Sequence, residues 1–215
     1  MNILDYDTER YDFKSIVQKW FDVDNLSTIH KTNSYELFER KTDQSTIWHT
    51  LFYKKIRQDC SFNDTYINFL KNVIRPTYGG DSIVYQKIPT FRVHLPKNIS
   101  VGEFHKDKNY RDVVWANKVN EMNYYLPLTT AYNTNTIWAE SKEDLGDYSP
   151  FNCEYGQCIE WNGSNLTHGN KVNLEENTRV SFDFRIISRK NYIASNDSSI
   201  NMETKFSIGN YYEEL

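Results

Sequence analysis

His105 and Asp107 stand two residues apart, His168 follows some sixty residues later, and Arg179 comes eleven after that. Two imidazoles and one carboxylate offer two nitrogens and an anionic oxygen. That set caps one face of a metal octahedron, leaves three positions open and suits Fe(II) chemistry. Residues two apart on an extended segment project to the same side, so His105 and Asp107 form one half of such a site. His168 must arrive from a distant strand folding back beside them, and the sixty intervening residues are enough for three or four strands and their loops. Arg179 and Ser181 share a strand face. A guanidinium forks onto a carboxylate through two parallel hydrogen bonds and a nearby hydroxyl adds a third, so the pair is suited to anchoring an anionic co-substrate. Arg185 lies further along the same face. It is open to three roles: binding substrate, pairing with Asp183, or taking over the anchoring from Arg179. His30, His49 and His94 lack partners at ligand spacing and are read as structural.

The elements that must position these groups change character once along the chain. Ser34 to Gln58 carries Leu37, Phe38, Ile47, Trp48, Leu51, Phe52 and Ile56 at mostly helical spacing. Ser61-Phe62-Asn63-Asp64 resembles a capped helix start, followed by Tyr66, Ile67, Phe69, Leu70, Val73 and Ile74. Arg75-Pro76 is expected to end that helix and Gly79-Gly80 to turn the chain. From Asp81 the period becomes two, predicting strands over 83–88, 90–95, 121–126, 136–140, 157–161 and 179–187. Gly156, Asn162-Gly163 and Gly169-Asn170 read as turns, the last placing His168 in a turn before a strand. Helices followed by a run of strands predict a mainly β core flanked by N-terminal helices. The chain is read as one domain over 1–215: a mostly helical part over 1–80, a β core over 81–188 and a polar tail over 189–215.

Two strands have faces worth separating. Val180, Phe182, Phe184 and Ile186 alternate with Arg179, Ser181, Asp183 and Arg185, and Phe91, Val93 and Leu95 alternate with Thr90, Arg92 and His94. A half-exposed strand with its polar face in water gives this pattern. So does a strand whose apolar face packs on helices while its polar face lines a cavity. Burying arginines in a cavity costs several kcal/mol each unless an anion compensates, and a dicarboxylate would do so.

The chain has 215 residues, a formal charge of −4 and a pI near 5.8, which gives no electrostatic reason to expect nucleic acid or an anionic membrane surface. Sixteen Tyr and twelve Phe against eight Gly favour strands with large half-buried side chains. No apolar run approaches membrane-spanning length, and the first residues do not read as a signal peptide. With an odd count of three cysteines, a reducing, cytoplasmic setting is expected. Cys153 and Cys158 have no matching second pair, so no structural zinc site is expected.

Several motifs then recur in order: Phe91-Arg92-Val93-His94-Leu95-Pro96, His105-Lys106-Asp107, Asn123 to Thr129, Asn135 to Ser141, Thr167-His168-Gly169-Asn170 and Thr178 to Arg185. Over residues 83–188 the chain resembles Fe(II)/2-oxoglutarate-dependent oxygenases of the streptomycin-biosynthesis type. The resemblance implies a cupin-like double-stranded β-helix, or jelly roll, with iron at its mouth. It implies His105, Asp107 and His168 as ligands, and Arg179 with Ser181 on the 2-oxoglutarate carboxylate. Asn123 and Tyr125 would face the cavity and touch co-substrate or substrate, with Arg92, Arg185, Asn135 and Glu140 as further substrate candidates. The implied reaction consumes 2-oxoglutarate and O2 and oxidises a C–H bond of a small polar metabolite.

Two rivals remain open at this point. One is a cupin-type metalloenzyme that uses no 2-oxoglutarate. The other is a non-catalytic jelly-roll module holding a carbohydrate on Trp115, Trp138 and Trp161. Specificity would lie in the loops over 108–118 and 141–153, whose charges Lys108, Arg111, Lys118, Glu143, Asp144 and Asp147 suit a small polar or zwitterionic molecule. Neither the oligomeric state nor the identity of the substrate is legible in the sequence.

Overall fold

The longest strand in the structure, Arg179–Ser188, is the axis about which the rest is arranged. The computed structural model describes residues 1–32, 46–100, 103–199 and 203–215. In chain order its strands and α-helices are β1 (Asn2–Asp5), α1 (Phe13–Phe21), α2 (Ile47–Lys55), α3 (Ser61–Phe69), β2 (Ile83–Gln86), β3 (Thr90–His94), α4 (Val113–Val119), β4 (Met122–Pro127), β5 (Ile137–Ala139), β6 (Ser149–Pro150), β7 (Gln157–Trp161), β8 (His168–Asn170), β9 (Arg179–Ser188) and β10 (Tyr212–Glu214). All named pairings are antiparallel. Among the described residues a seven-stranded sheet runs β1-β7-β4-β9-β2-β10 with β3 as its seventh strand, also on β9, and a three-stranded sheet runs β6-β5-β8. β9 is long enough to take two partners on one edge: β3 pairs with its first half, Thr90 opposite Asp183, and β2 with its last residues, Tyr85 opposite Ile186. The architecture is therefore mainly β with flanking helices, as the change of period predicts.

Both faces of β9 are buried. Val180, Phe182, Phe184 and Ile186 face the helical layer, where Phe182 meets Phe13 at 5.0 Å between ring centroids and Phe62 at 5.3 Å, and Phe184 meets Tyr66 at 5.2 Å. β3 adds Phe91, stacked on Phe52 of α2 at 4.0 Å. Helix α1 supplies its share because Phe13, Val17, Trp20 and Phe21 fall on one stripe. Its start is fixed by Asp12, whose carboxylate accepts the Ser15 N–H at 3.0 Å. On the other face of β9, Arg179, Ser181 and Asp183 are buried too. The polar face therefore does not look into water, as a half-exposed strand's would.

The structure corrects several local expectations. His168-Gly169-Asn170 is a strand paired with β5, not a turn; Gly169 lies where a Cβ would meet the Glu103 carbonyl and Phe104 Cα at 3.0 Å, so bare backbone lets the two segments close up. The polar tail ends in β10, which pairs with β2, because Tyr212 is buried beside Val84 and Ile187. The helical N-terminal part begins with a strand, β1, paired with β7. Ser61 does not cap α3 with its side chain; Asp59 takes the Ser61 N–H at 2.9 Å instead. Pro76 does not stop the chain at once. α3 widens into a π-turn over Leu70–Ile74, tightens into a 3-10 turn over Arg75–Tyr78, and ends at Gly79 and Gly80, both left-handed. Within the expected specificity loop over 108–118 sits α4, its first turn capped by Asp112 on the Trp115 N–H at 2.7 Å. Of the helix expected over 34–58, α2 accounts for the later part, while Leu37, Phe38 and their neighbours lie outside the described residues.

Candidate metal centre

His105 and His168 are a cross-strand pair. Each backbone N–H donates to the other's carbonyl, His105 to His168 at 2.8 Å and the reverse at 2.9 Å, which sets the two imidazoles side by side at 4.6 Å. Lys106 is extended (φ −106°, ψ 134°), so Asp107 returns to the same side as His105, as the spacing predicts. The chain then enters a 3-10 turn over Asp107–Tyr110, and the Asp107 N–H is tied to the Gly163 carbonyl at 2.9 Å. The candidate ligand atoms of His105, Asp107 and His168 all lie within 4.8 Å of one another.

The ring orientations are set in advance. His105 Nδ1 faces the Glu103 carbonyl and His168 Nδ1 the Leu166 carbonyl, each at 2.9 Å. An imidazole that donates through Nδ1 presents the lone pair of Nε2, and both Nε2 atoms point at Asp107 Oδ1, at 3.4 Å and 3.6 Å. Asp107 Oδ2 is engaged elsewhere, accepting from Asn123 Nδ2 at 2.9 Å and Arg185 Nη2 at 3.1 Å. Burial alone would raise the Asp107 pKa, but Arg185 and the two histidines outweigh it and hold the carboxyl well below its usual range. At His105 burial is outweighed by the Asp107 carboxylate and the pKa rises; at His168 burial prevails and it falls. A buried, ionised carboxylate facing two imidazole lone pairs fits a divalent cation, and the donor chemistry suits iron or its neighbours in the first transition row.

The remaining expected residues fall into three groups. Arg179 is buried on the inner face of β9, donating through Nε to the Asn135 carbonyl at 3.0 Å and through Nη1 to Ser181 Oγ at 2.8 Å. Its guanidinium lies 5.9 Å from the Tyr125 ring. Arg179, Ser181 and Tyr125 thus meet, the Tyr125 hydroxyl being buried beside Ser181 and Thr136. Asn123 and Arg185 gather at Asp107. Arg185 also reaches Asp183 at 3.5 Å, Gln86 and the Tyr211 hydroxyl at 3.3 Å, and Glu121 at 3.6 Å, while Arg92 pairs with Asp183 at 3.2 Å. Asn135 and Glu140 staple loops. Asn135 Oδ1 accepts the Tyr132 N–H, and the Glu140 carboxylate accepts the N–H groups of Thr167 at 2.6 Å and Gly146 at 3.2 Å. Those bonds outweigh burial and lower the Glu140 pKa to about 2. His30, His49 and His94 are hydrogen-bonded away from the cluster, to Thr178, Thr46 and two backbone carbonyls.

Other contributors carry little local signal. Glu121 pairs with Arg111 at 2.6 Å and accepts from the Tyr212 hydroxyl, so Arg111 is an interior cation, not a loop charge. Lys106 and Lys108 flank Asp107 and reach across to the 141–147 loop, Lys106 to Glu143 at 3.1 Å and Asp144 at 2.7 Å, Lys108 to Glu143 at 2.6 Å. Gly163 is needed for space, since a Cβ there would meet the Asn123 amide at 2.8 Å. The alternation of charge around Asp107 and the glycine spacing hint at these roles only once the strands are paired.

Fold and site together define a mainly antiparallel β-protein carrying a two-histidine, one-carboxylate cluster able to hold a metal ion. The chain belongs to the family of the streptomycin biosynthesis protein StrG of Streptomyces griseus, with which it is 35% identical over 178 residues, 82% of this chain and 80% of that protein. No family model matches the sequence. Among solved structures, the nickel complex of the non-haem monooxygenase ThoJ superposes with a TM-score of 0.49 at 13% identity, covering 91% of this chain and 76% of that one. SnoK, a non-haem alpha-ketoglutarate-dependent carbocyclase from nogalamycin biosynthesis, gives 0.45 at 11%, covering 86% and 78%. Both scores are below 0.5. Among the described residues no helix is long and apolar enough to cross a membrane.

Proposed function

We propose that this protein is an Fe(II)- and 2-oxoglutarate-dependent oxygenase that oxidises a C–H bond of a small polar metabolite, its two sheets forming a double-stranded β-helix within one domain. The observation that carries the proposal is the convergence of the His105, Asp107 and His168 ligand atoms within 4.8 Å, with both Nε2 atoms turned inward by bonds at Nδ1. Three protein ligands of this kind leave open positions for other molecules. Ferrous iron held there supplies, with O2 and 2-oxoglutarate, the oxidising power for C–H cleavage, 2-oxoglutarate leaving as succinate and CO2.

The chain's own residues orient and exclude water. Arg179 receives the distal carboxylate of 2-oxoglutarate in a fork and Ser181 offers a hydroxyl beside it, while the Tyr125 ring lies against the Arg179 guanidinium and its hydroxyl is a further donor. Burial of all three removes competing water and strengthens the charge-assisted bonds. Asn123 and Arg185 serve Asp107 and not the co-substrate. Arg92, paired with Asp183 and only partly buried, is the inner-face group best placed to meet a polar substrate.

The test is anaerobic addition of Fe(II) and 2-oxoglutarate to metal-free protein, monitoring the visible metal-to-ligand charge-transfer band, with Asp107→Ala and Arg179→Ala as controls. A band in the wild type that Asp107→Ala abolishes and Arg179→Ala weakens is expected. Metal binding with no band would overturn the 2-oxoglutarate assignment in favour of a metalloenzyme of another kind, and absence of metal binding would leave a binding module.

A further inference from the structure

The two oxygens of Asp107 have different surroundings. Oδ1 faces His105 Nε2 at 3.4 Å and His168 Nε2 at 3.6 Å, whereas Oδ2 accepts from Asn123 Nδ2 at 2.9 Å and Arg185 Nη2 at 3.1 Å. Neither donor is free to wander. Asn123 lies on β4 between β7 and β9, opposite Trp161 on one side and Arg185 on the other, and its amide is wedged against Gly163, the residue whose carbonyl also fixes the Asp107 N–H. Arg185 is held from four directions: by Gln86 of β2, Asp183 of its own strand, Glu121 just before β4, and Tyr211 just before β10. Glu121 in turn is gripped by Arg111 and by the Tyr212 hydroxyl.

A carboxylate presents either one oxygen or both to a cation. Binding through both would require Asp107 Oδ2 to give up two hydrogen bonds, one of them from a cation, and would leave Asn123 Nδ2 and Arg185 Nη2 without their acceptor in a buried setting. We propose that Asn123 and Arg185 are positioning residues that restrict Asp107 to one-oxygen ligation, so that a bound metal keeps three open positions instead of two. This rests on the reading of His105, Asp107 and His168 as a metal centre but not on the identity of the co-substrate. It gives the C-terminal strand a role at the site, because the residues flanking it complete the cage around Arg185.

Mn(II) is a suitable probe, since water-proton relaxation and electron-nuclear double resonance in 17O-enriched water count its exchangeable waters. The wild type should bind one Mn(II) carrying three waters. Asn123→Ala removes one donor from Oδ2 with little change in volume demand, and should weaken Mn(II) binding by about ten- to a hundredfold and lower the count to two. Arg185→Gln should do the same, and Asn123→Asp, which replaces a donor by a second anion, should be worse than Asn123→Ala. Circular dichroism on each variant separates loss of fold from loss of ligation. Folded variants with wild-type affinity and three waters would overturn the positioning role while leaving the metal centre intact. A wild type that takes up no Mn(II) would overturn the metal centre and the proposal with it.

Discussion

The two faces of β9 are both largely withdrawn from solvent and organised on opposite principles. On one, Val180, Phe182, Phe184 and Ile186 pack among aromatic rings of α1, α2 and α3, where contacts are many, individually weak and non-directional. On the other, Arg179, Ser181, Asp183 and Arg185 each meet one to five specific atoms at hydrogen-bonding or ion-pair distance. The helical face supplies most of the stability. The inner face holds groups whose desolvation is offset only when each partner is in place, so its order is bought with the apolar face. A site of fixed geometry needs both: directional contacts to define it, and a stiff apolar backing to keep the strand from relaxing.

That division can be broken from either side. The largest effect should come from Phe182→Ala, which removes a ring touching Phe13 and Phe62 and should cost about 3–5 kcal/mol, read as a shift of the urea midpoint. Below its unfolding transition this variant should still bind one divalent ion; loss of binding in the folded state would mean that the apolar face shapes the site as well as supporting it.

An intermediate effect is expected from pH. Burial, with Arg179 nearby in both cases and Arg92 also near His49, pushes the His49 and His94 pKa values down to about 3 from an ordinary 6.5. Between those values the unfolded chain binds protons that the folded chain does not, so stability rises with pH across the window and is lost as pH falls. At pH 5 each imidazole should account for about 2 kcal/mol of that loss. Thermal melts at pH 7 and pH 5 should therefore differ more for the wild type than for His49→Gln, and equal differences would remove His49 from the account.

The smallest effect concerns the rim. Lys108→Ala breaks a partly exposed pairing with Glu143 and should cost no more than about 1 kcal/mol, a loss that added salt should reproduce in the wild type. A larger, salt-insensitive loss would show that the 141–147 loop is part of the inner framework.

Much of this was legible in the residues. Alternation located the main strands to within a residue or two because a strand with one apolar and one polar face repeats every two positions, and the spacing of His105 and Asp107 placed them on one side because Lys106 is extended. The strands that escaped are β1, β6, β8 and β10, each of two to four residues, too short to show a period; β8 is hidden further by Gly169, which reads as a turn and serves as a close approach. Composition and spacing by themselves determined the donor types, the strand faces and the arginine–serine pair on one of them. Only the tertiary structure decided that the polar face is buried, that Arg185 and Asn123 close on Asp107, and that Glu121 and Tyr212 stand behind them. These are contacts between residues up to 91 positions apart, and a pairing of that range is fixed by strand register, which no local pattern encodes.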